Sequence, residues 1–398
     1  MVRNEATIRF VREHREEDVR ALALQARRGG DVDLTWALDQ IQGWQTARRK
    51  LPSWAATDGV VYPPHLSMEQ CSSEQTAIYK CGIMEQVPQE GREMLIDLTG
   101  GFGVDFAFMA RCCDHAVYVE QQEHLCETAQ HNFNLLGLHH ARIIHGDAEE
   151  VLSHLDTQPA NTFIYIDPAR RDSNKARTYA IADCTPNVLE LKERLIDAAH
   201  HVLIKLSPML DWHKAVNDLG EHVAEIHIVS VANECKELLI LLAADHKGEP
   251  TIHCVNDNRH LTYTPSEGDM PAAIAESDYA TFIYEPNASI MKAGCFGLLT
   301  QRYPVKALAP DSHLFVSAEQ VKDFPGRQFA VTAITTMNKK ELASALKGIT
   351  RANIATRNFP MTAQQLRQRL SLQDGGDTYI FGTTTATAHH LLYICRKA

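Results

Sequence analysis

The chain has 398 residues, 44% of them hydrophobic, and a formal net charge of −11 from 39 basic and 50 acidic side chains. This length gives room for two or three domains with an ample core. The longest uninterrupted apolar run covers only residues 238–244, too short to cross a bilayer, and the many charges among residues 1–28 argue against a signal peptide. We therefore expect a cytoplasmic protein without a membrane partner, and the sequence leaves the oligomeric state open.

The cysteine pattern favours reduced, mostly buried thiols. Ten cysteines occur without any C-x-x-C pair, and the only close pair is Cys112 with Cys113. The histidine pairs, such as His139 with His140, come without a third ligand at metal-binding spacing. We therefore expect neither a disulfide framework nor a metal site.

The N-terminal part, residues 1–90, has helical patterns. Acidic residues at 16–18 and at 31–33 open two of them, and a third helix is predicted to begin at Ser72 or Ser73.

Strands and helices alternate from about residue 91, and the first turn is the most informative. An apolar run at residues 95–98 is followed by Gly100, Gly101 and Gly103 and then by a helical pattern. Three glycines at such a turn let the backbone pass close to a ligand. The next apolar strand ends on Glu120, where a carboxylate can accept hydrogen bonds from a ribose. These features predict a nucleoside-containing cofactor.

The glycine spacing does not fit a dinucleotide. No glycine lies three residues beyond Gly103, and Asp105 near the start of the helix would repel a pyrophosphate. A phosphate-free, cationic cofactor such as S-adenosylmethionine suits acidic surroundings, and Asp97 at the tip of the first strand suits its cationic end. For the glycine pattern alone, a tight strand-to-helix turn is the alternative.

Two further strands also end next to acidic residues. Residues 141–145 run into Asp147, where a carboxylate can hold an adenine amino group, and residues 162–166 lead to Asp167. Each carboxylate taken singly is also a good helix N-cap. Four such strand ends in order favour a ligand site, because open α/β sheets bind ligands beyond the carboxyl ends of their strands.

The end of this region separates two α/β classes. Only five residues separate the apolar runs 226–231 and 237–243, too few for a crossover helix, so the two runs are predicted to form an antiparallel hairpin. A dehydrogenase that continued its parallel winding would need a helix there. The fold class is therefore α/β, with a mostly parallel Rossmann-like sheet whose last strand is antiparallel.

The C-terminal part is basic. Residues 320–398 contain eleven Lys and Arg but four Asp and Glu, a net charge of +7, and the remainder carries −18. A basic module on an acidic protein suits a polyanion such as RNA; charges scattered over a solvated surface are the alternative. The residues expected to face RNA are Lys339, Lys340, Lys347, Arg351, Arg357, Arg367 and Arg369.

The strand-end motifs at residues 97–103, 120, 146–148 and 167–170 resemble those of class I S-adenosylmethionine-dependent methyltransferases. More specifically, the chain resembles bacterial methyltransferases with a C-terminal THUMP-like domain. The stretches that carry this likeness are residues 71–80, 233–237, 284–288 and 352–360.

The resemblance implies S-adenosyl-L-methionine as cofactor and a C-terminal α+β module that is THUMP-like or ferredoxin-like. The implied domains are a helical domain at 1–90, a methyltransferase domain at 91–248, a small α+β connecting (ferredoxin-like) region at 249–320 and a basic THUMP-like domain at 321–398. The implied cofactor-binding residues are Glu74, Thr76, Asp97, Thr99, Gly100, Gly101, Phe102, Gly103, Glu120, Gln121, Asp147, Ala148 and Asp167.

Methyl transfer is an in-line displacement, so the protein mainly aligns the reacting groups. A nitrogen acceptor needs its N–H bonds oriented, a role that suits Asp167 and the carbonyl of Pro168. A carbon acceptor would usually need a catalytic cysteine, and no cysteine here follows a proline. Enzymes that methylate amino groups commonly have an aromatic residue after the Asp-Pro pair; here Ala169 and Arg170 follow, and Arg170 can bind phosphate or stack on a base.

The sequence thus predicts Asp167, Pro168 and Arg170 as catalytic residues of an RNA methyltransferase, with a base nitrogen favoured as acceptor. The alternatives are a methyltransferase for a protein or a small molecule, and a non-catalytic RNA-binding protein with the same fold.

Overall fold

The computed structural model describes residues 4–25, 31–155, 157–170 and 181–398. The chain divides into two compact units. The N-terminal unit contains residues 1–224 and 238–248, and the C-terminal unit contains residues 225–237 and 249–398. No helix among the described residues is long and apolar enough to cross a membrane.

The helices of the N-terminal unit are α1 (Glu5–His14), α2 (Val19–Gln25), α3 (Leu34–Lys50), α4 (Pro52–Ala55), α5 (His65–Gln70), α6 (Glu74–Gln86), α7 (Val104–Met109), α8 (Glu123–Leu135), α9 (Ala148–His154), α10 (Val188–Ala198) and α11 (Trp212–Leu219). Its strands are β1 (Met94–Asp97), β2 (His115–Glu120), β3 (Ala141–His145), β4 (Thr162–Ile166), β5 (Ala169–Arg170), β6 (Cys184–Thr185) and β7 (His201–Leu206).

Helices α1–α6 precede the first strand, which confirms the predicted helical N-terminal region. Polar side chains cap several of these helices: Asn4 accepts from the backbone N–H of Thr7, and Asp33 accepts from that of Trp36. The cap of α6 is Ser73. Its neighbour Ser72 makes a different hydrogen bond, described below.

The sheet of the N-terminal unit has the predicted topology. Strands β3, β2, β1, β4 and β7 lie side by side in that order, and all of these pairs are parallel. Strand β9 (Glu234–Ala243), the last in chain order to enter this unit, runs antiparallel to β7, with Leu238 opposite Leu206. Strand β4 is buried along its whole length, as expected for a parallel strand covered on both faces.

The predicted hairpin forms between β8 (Val223–Val231) and β9, which are neighbours in the sheet. Both strands extend beyond the apolar runs, so the connection has only two residues. These are Ala232 and Asn233, with φ of 51° and 62°. Positive φ at both positions is the signature of a type I′ turn, whose twist matches that of the strands.

The remaining elements of the C-terminal unit are β10 (Thr251–Asn256), β11 (Arg259–Tyr263), α12 (Pro265–Gly268), β12 (Phe282–Pro286), α13 (Ala288–Ala293), α14 (Phe296–Arg302), β13 (Lys306–Ala307), β14 (Phe315–Ser317), β15 (Gly326–Thr335), α15 (Lys339–Ala345), β16 (Asn353–Arg357), α16 (Ala363–Leu370), β17 (Thr378–Thr384) and β18 (His390–Lys397).

A second, seven-stranded sheet organises this unit, in the order β13-β14-β12-β15-β18-β17-β16, and of its pairs only β16–β17 is parallel. Successive residues of β18 point to opposite faces. Tyr393 joins one apolar cluster with Phe329, and Leu392 joins another with Leu366 of α16. Both faces of the sheet are therefore packed, which confirms the α+β C-terminal module.

The structure also joins Cys81 to Cys112 in a disulfide, 31 residues apart in sequence. This differs from the reduced thiols that the cysteine spacing predicted. The spacing could not reveal the pair, because it depends on α6, which carries Cys81, packing beside α7 and the short helical turn after it.

Aromatic packing fixes the loop between β1 and α7. The rings of Phe106, Tyr118 and Phe133 contact one another with centroids 4.9–5.5 Å apart. A Cβ at Gly100 would lie 2.1 Å from the ring of Tyr118, and one at Gly103 would lie 2.7 Å from the ring of Phe133. These two glycines are thus required by the core itself.

We expect Gly100→Ala to destabilise the N-terminal unit by about 1–3 kcal/mol, because the added methyl overpacks the ring of Tyr118. All four tryptophans lie in this unit, so urea unfolding followed by tryptophan fluorescence measures the effect. Gly82 in α6 has no atom within 4 Å of an added Cβ, and Gly82→Ala should stabilise by about 0.5–1 kcal/mol. Equal stability of the two variants would contradict this account.

Candidate functional site

Three carboxylates lie at one edge of the parallel sheet. Asp97 ends β1, Glu120 ends β2, and Asp167 follows β4 directly. Strand β1 pairs with both neighbours, with Asp97 opposite Tyr118 on one side and Tyr165 on the other. The register therefore brings the three acids together beyond the carboxyl ends of the strands, where ligands of open α/β sheets bind.

Glu120 holds the glycine loop in place. One of its carboxylate oxygens accepts the N–H of Gly101 at 2.9 Å, and the other accepts the N–H of Gln122 at 2.8 Å. Gly101 has a φ of 55°, and the carbonyl of Gly101 accepts from the hydroxyl of Tyr118 at 2.5 Å. A Cβ at this glycine would approach Thr99 O only to 3.8 Å, so the space above it is open.

Asp97 is a buried carboxylate, only 1% exposed. It accepts one backbone hydrogen bond, from Thr99 at 2.9 Å. Burial raises the pKa of Asp97 well above its usual range, and the nearby carboxylates of Asp105, Asp167 and Glu120 raise it further. A cation placed beside Asp97 would supply favourable countercharge.

Asp105 forms the centre of a buried polar cluster. One carboxylate oxygen lies 3.2 Å from Nζ of Lys80, and the other accepts from Ser72 Oγ and from the hydroxyl of Tyr165, both at 2.7 Å. Burial alone would raise the pKa of Asp105, but Lys80, Lys205 and these hydrogen bonds bring it below its usual value. Lys80 is itself fully buried.

Asp167 is the most accessible of these acids, with 38% of its side chain exposed. Its carboxylate accepts from Nζ of Lys205 at 2.6 Å, and its backbone N–H donates to Thr99 Oγ1 at 2.6 Å. Burial raises the pKa of Asp167, and the ammonium of Lys205 opposes that rise. The same ammonium lies 3.8 Å from Asp105, so Lys205 links the two acids.

Three residues of this site, Lys80, Lys205 and Tyr165, were not predicted from the sequence. A signal for Lys205 existed, because Ile204 pairs with Ile166 in the register of β7 and β4 and the next residue of each strand reaches the same edge. Lys80 lies on helix α6, and no local sequence pattern predicts its contact with Asp105.

The segment after Asp167 is described in part. Pro168 is buried, and the backbone of Arg170 pairs with Cys184 in the short β5–β6 ladder. The side chain of Arg170, predicted to be catalytic, lies outside the described residues.

Several predicted cofactor residues contribute to packing or capping. Phe102 is 5% exposed, and its ring lies 5.0 Å from that of Trp54. Thr76 is buried, and its hydroxyl donates to the carbonyl of Ser73. The carboxylate of Glu74 accepts from the backbone N–H and the hydroxyl of Ser53, both at 2.8 Å.

At the third strand end, Asp147 is exposed and caps α9 by accepting from the backbone N–H groups of Glu149 and Glu150. Ala148 is the buried first residue of that helix, and Gln121 is exposed beside the end of β2.

The basic residues predicted to face RNA fall into two groups. Exposed members are Lys339, Lys340, Lys347, Arg351 and Arg369. The other two are partly buried and bind acids of the same unit: Arg357 lies 2.9 Å from Glu285, which is 5% exposed, and Arg367 pairs with Asp374. A second arginine, Arg327, also binds Glu285.

The C-terminal unit has a cleft of about 410 Å³ lined by basic residues that were not among those predicted to face RNA. Its lining includes Arg259, Lys322, Arg327 and Lys397. Arg259 comes from β11, and its guanidinium donates to the carbonyl of Phe324, which brings it to residues far along the chain.

Two protein-family models match the chain: residues 282–325 match a ferredoxin-like domain, and residues 326–397 match a THUMP domain-like model. No curated protein matches it. The solved structure named "putative methyltransferase from Porphyromonas gingivalis W83" is 31% identical, with 100% of each chain covered and a TM-score of 0.84. An rRNA methylase from Streptococcus thermophilus is 16% identical over 42% of this chain and 94% of that one, with a TM-score of 0.32.

The full-length match at 31% identity covers both units, and the two domain models cover the end of the chain. The chain therefore belongs to the same family as the Porphyromonas gingivalis protein, in which the S-adenosylmethionine-dependent methyltransferase fold is followed by ferredoxin-like and THUMP-like domains.

Proposed function

We propose that this protein binds S-adenosylmethionine at the edge formed by β1, β2 and β4 and transfers its methyl group to a base nitrogen in RNA. The observation that carries the proposal is the buried carboxylate of Asp97, surrounded by other acids and next to an open glycine loop. These carboxylates and the open loop suit a ligand that carries positive charge and hydroxyl groups but no phosphate.

Each part of the cofactor has a partner of suitable chemistry. Asp97 faces the amino group of the methionine end, the carboxylate of Glu120 accepts from the ribose hydroxyls, and Asp147 accepts from the adenine amino group. Gly101 leaves room for the ligand, because its backbone has no close neighbour on the Cβ side. The bound cofactor supplies an activated methyl group on a sulfonium.

The acceptor nitrogen is aligned by Asp167 and the carbonyl of Pro168. Asp167 is accessible, and Lys205 holds its carboxylate in one orientation at 2.6 Å. In that position the carboxylate accepts a hydrogen bond from an N–H group of the base, which directs the nitrogen lone pair toward the methyl carbon. The proton that the nitrogen loses passes to the carboxylate of Asp167.

RNA as the substrate is supported by the C-terminal unit. The net charge of +7 over residues 320–398 contrasts with −18 for the rest of the chain. Five of the predicted cations are exposed, and the matched domain model is THUMP-like. Clustered exposed cations attract the phosphate backbone and make binding depend on salt.

Affinity for S-adenosylmethionine should rise with pH. The pKa of Asp97 is raised in the free protein. Wherever Asp97 is protonated, a proton must leave before the carboxylate pairs with a cation, and binding releases that proton. Asp97→Asn should weaken binding by about tenfold or more, since a hydrogen bond to a charged group contributes about 1.5–3 kcal/mol. Calorimetry in buffers of different ionisation enthalpy measures both quantities.

The matched control for this experiment is Asp114→Asn, because Asp114 is exposed. That variant should keep the affinity and the pH dependence of the unmodified protein. An Asp97→Asn protein with unchanged affinity and an unchanged pH profile would remove Asp97 from the cofactor site.

Asp167→Ala should reduce methyl transfer from labelled cofactor to RNA by about 10²- to 10⁴-fold, the usual contribution of a positioned proton acceptor, while RNA and cofactor binding persist. The substrate for this assay is RNA from a strain lacking the gene, and mass spectrometry of its nucleosides should show one methylated nucleoside missing. A complete nucleoside profile, or transfer at the original rate by Asp167→Ala, would refute the proposed reaction.

Replacing Lys339, Lys340, Lys347, Arg351 and Arg369 by Gln should weaken RNA binding and make it less sensitive to salt. The slope of log affinity against log salt concentration should become shallower by about 0.7–0.9 for each phosphate that the variant no longer neutralises. Fluorescence anisotropy over a range of salt concentrations gives that slope.

A matched control replaces five exposed arginines of the N-terminal unit by Gln. These are Arg9, Arg12, Arg20, Arg111 and Arg142. If the control reduces the slope as much as the C-terminal variant does, the basic module is not the RNA-binding surface.

A further inference from the structure

A second cluster of ionisable side chains lies in the C-terminal unit and contains none of the residues assigned to the cofactor or the RNA. Strands β8 and β10 are parallel neighbours, and His253 lies directly opposite His227. Glu225 comes two residues before His227, so its side chain projects from the same face of the strand. Two imidazoles and a carboxylate therefore meet on one face of this pair.

The three ligand atoms have the separations of a metal site. Glu225 Oε2 lies 2.9 Å from Nε2 of His227 and 3.6 Å from Nε2 of His253, and all three atoms are within 4.8 Å of one another. Bonds of about 2.0–2.2 Å at tetrahedral angles place ligand atoms about 3.3 Å apart. The 3.6 Å separation is close to that value, and the 2.9 Å separation is that of the hydrogen bond between Glu225 and His227.

Burial holds the cluster together, and one ring has to turn to bind an ion. The imidazole of His227 is 2% exposed, and the two rings stack with centroids 4.4 Å apart and planes 9° apart. Because a metal lies in the plane of each imidazole that binds it, the ring of His253, whose side chain is 21% exposed, must rotate about its Cβ–Cγ bond for both Nε2 atoms to face one ion. Nε2 of His253 is buried, and among the described residues it has no hydrogen-bond partner. Buried polar atoms are rarely left unpaired, and an imidazole nitrogen in this state is a typical metal ligand.

The other ring nitrogen of His253 has a neighbour of its own. Nδ1 lies 3.4 Å from Thr262 Oγ1 on β11. Metal-binding histidines commonly hydrogen-bond through the nitrogen that does not bind the metal, which fixes the ring and the tautomer. Glu225 and His227 hydrogen-bond to each other. Nε2 of His253 is turned toward the same carboxylate at 3.6 Å but makes no hydrogen bond within the described part of the chain.

We propose that Glu225, His227 and His253 bind a divalent transition-metal ion, with Zn²⁺ as the best fit. Zinc takes imidazole nitrogen and carboxylate oxygen in tetrahedral sites. Three protein ligands leave a fourth position for water. The sequence predicted no metal site because the ligands come from two separate strands and follow the sheet register instead of a spacing motif.

The test uses the full-length protein, stripped of metal by a chelator and then titrated with Zn²⁺ against a chromogenic chelator. We expect one Zn²⁺ per chain, a higher melting temperature with Zn²⁺, and at least a hundredfold weaker binding for His253→Ala. His139→Ala is the matched control, because His139 is exposed and outside the cluster, and it should bind as the unmodified protein does.

X-ray absorption at the zinc edge of the unmodified protein keeps the test decisive if a variant fails to fold. Two imidazole ligands and oxygen support the assignment. Sulfur ligands would overturn it, because Glu225, His227 and His253 offer only oxygen and nitrogen. Absence of stoichiometric binding, or unchanged affinity in a folded His253→Ala, would also overturn it.

Discussion

Charge compensation is the constraint on which the site depends. Four carboxylates, those of Asp97, Asp105, Glu120 and Asp167, interact in a largely buried region. Like charges that lie close together cannot all remain ionised without nearby cations. Lys80 and Lys205 provide two, and both lie close to Asp105. The balance still leaves an excess of negative charge, which adds to burial in raising the pKa of Asp97. The site is thus adapted to receive positive charge.

Much of the fold and the edge of the site follows from the sequence. The order of apolar runs and the acid after each run were sufficient to predict the parallel sheet, its antiparallel last strand and the convergence of Asp97, Glu120 and Asp167, because register is set by burial. Lys80 and Lys205 were not predicted as site residues, because a lysine in a strand or helix is ordinarily exposed. Only the packing of α6 against α7 brings Lys80 to Asp105.

The same pattern gave several residues a role that packing now explains. Gly100 and Gly103 lie against aromatic rings, and Phe102 belongs to the core beside Trp54, so packing alone already requires this loop geometry. In the C-terminal unit, strand β16 is half-buried at every position, so its sequence lacks the alternation of apolar and polar residues by which a strand is predicted. Arg357 on that strand binds the buried Glu285, so net charge overstates the number of cations open to a polyanion.

The path of the chain between the two units has a consequence for how the protein folds during synthesis. Residues 225–237 belong to the C-terminal unit although residues on both sides belong to the N-terminal one, and β9 is a single strand that begins in one unit and ends in the other. The ribosome must therefore release residue 243 before β9 can complete its antiparallel pairing with β7. No single cut yields two complete fragments, and a gene for the C-terminal unit alone would have to join two separated segments.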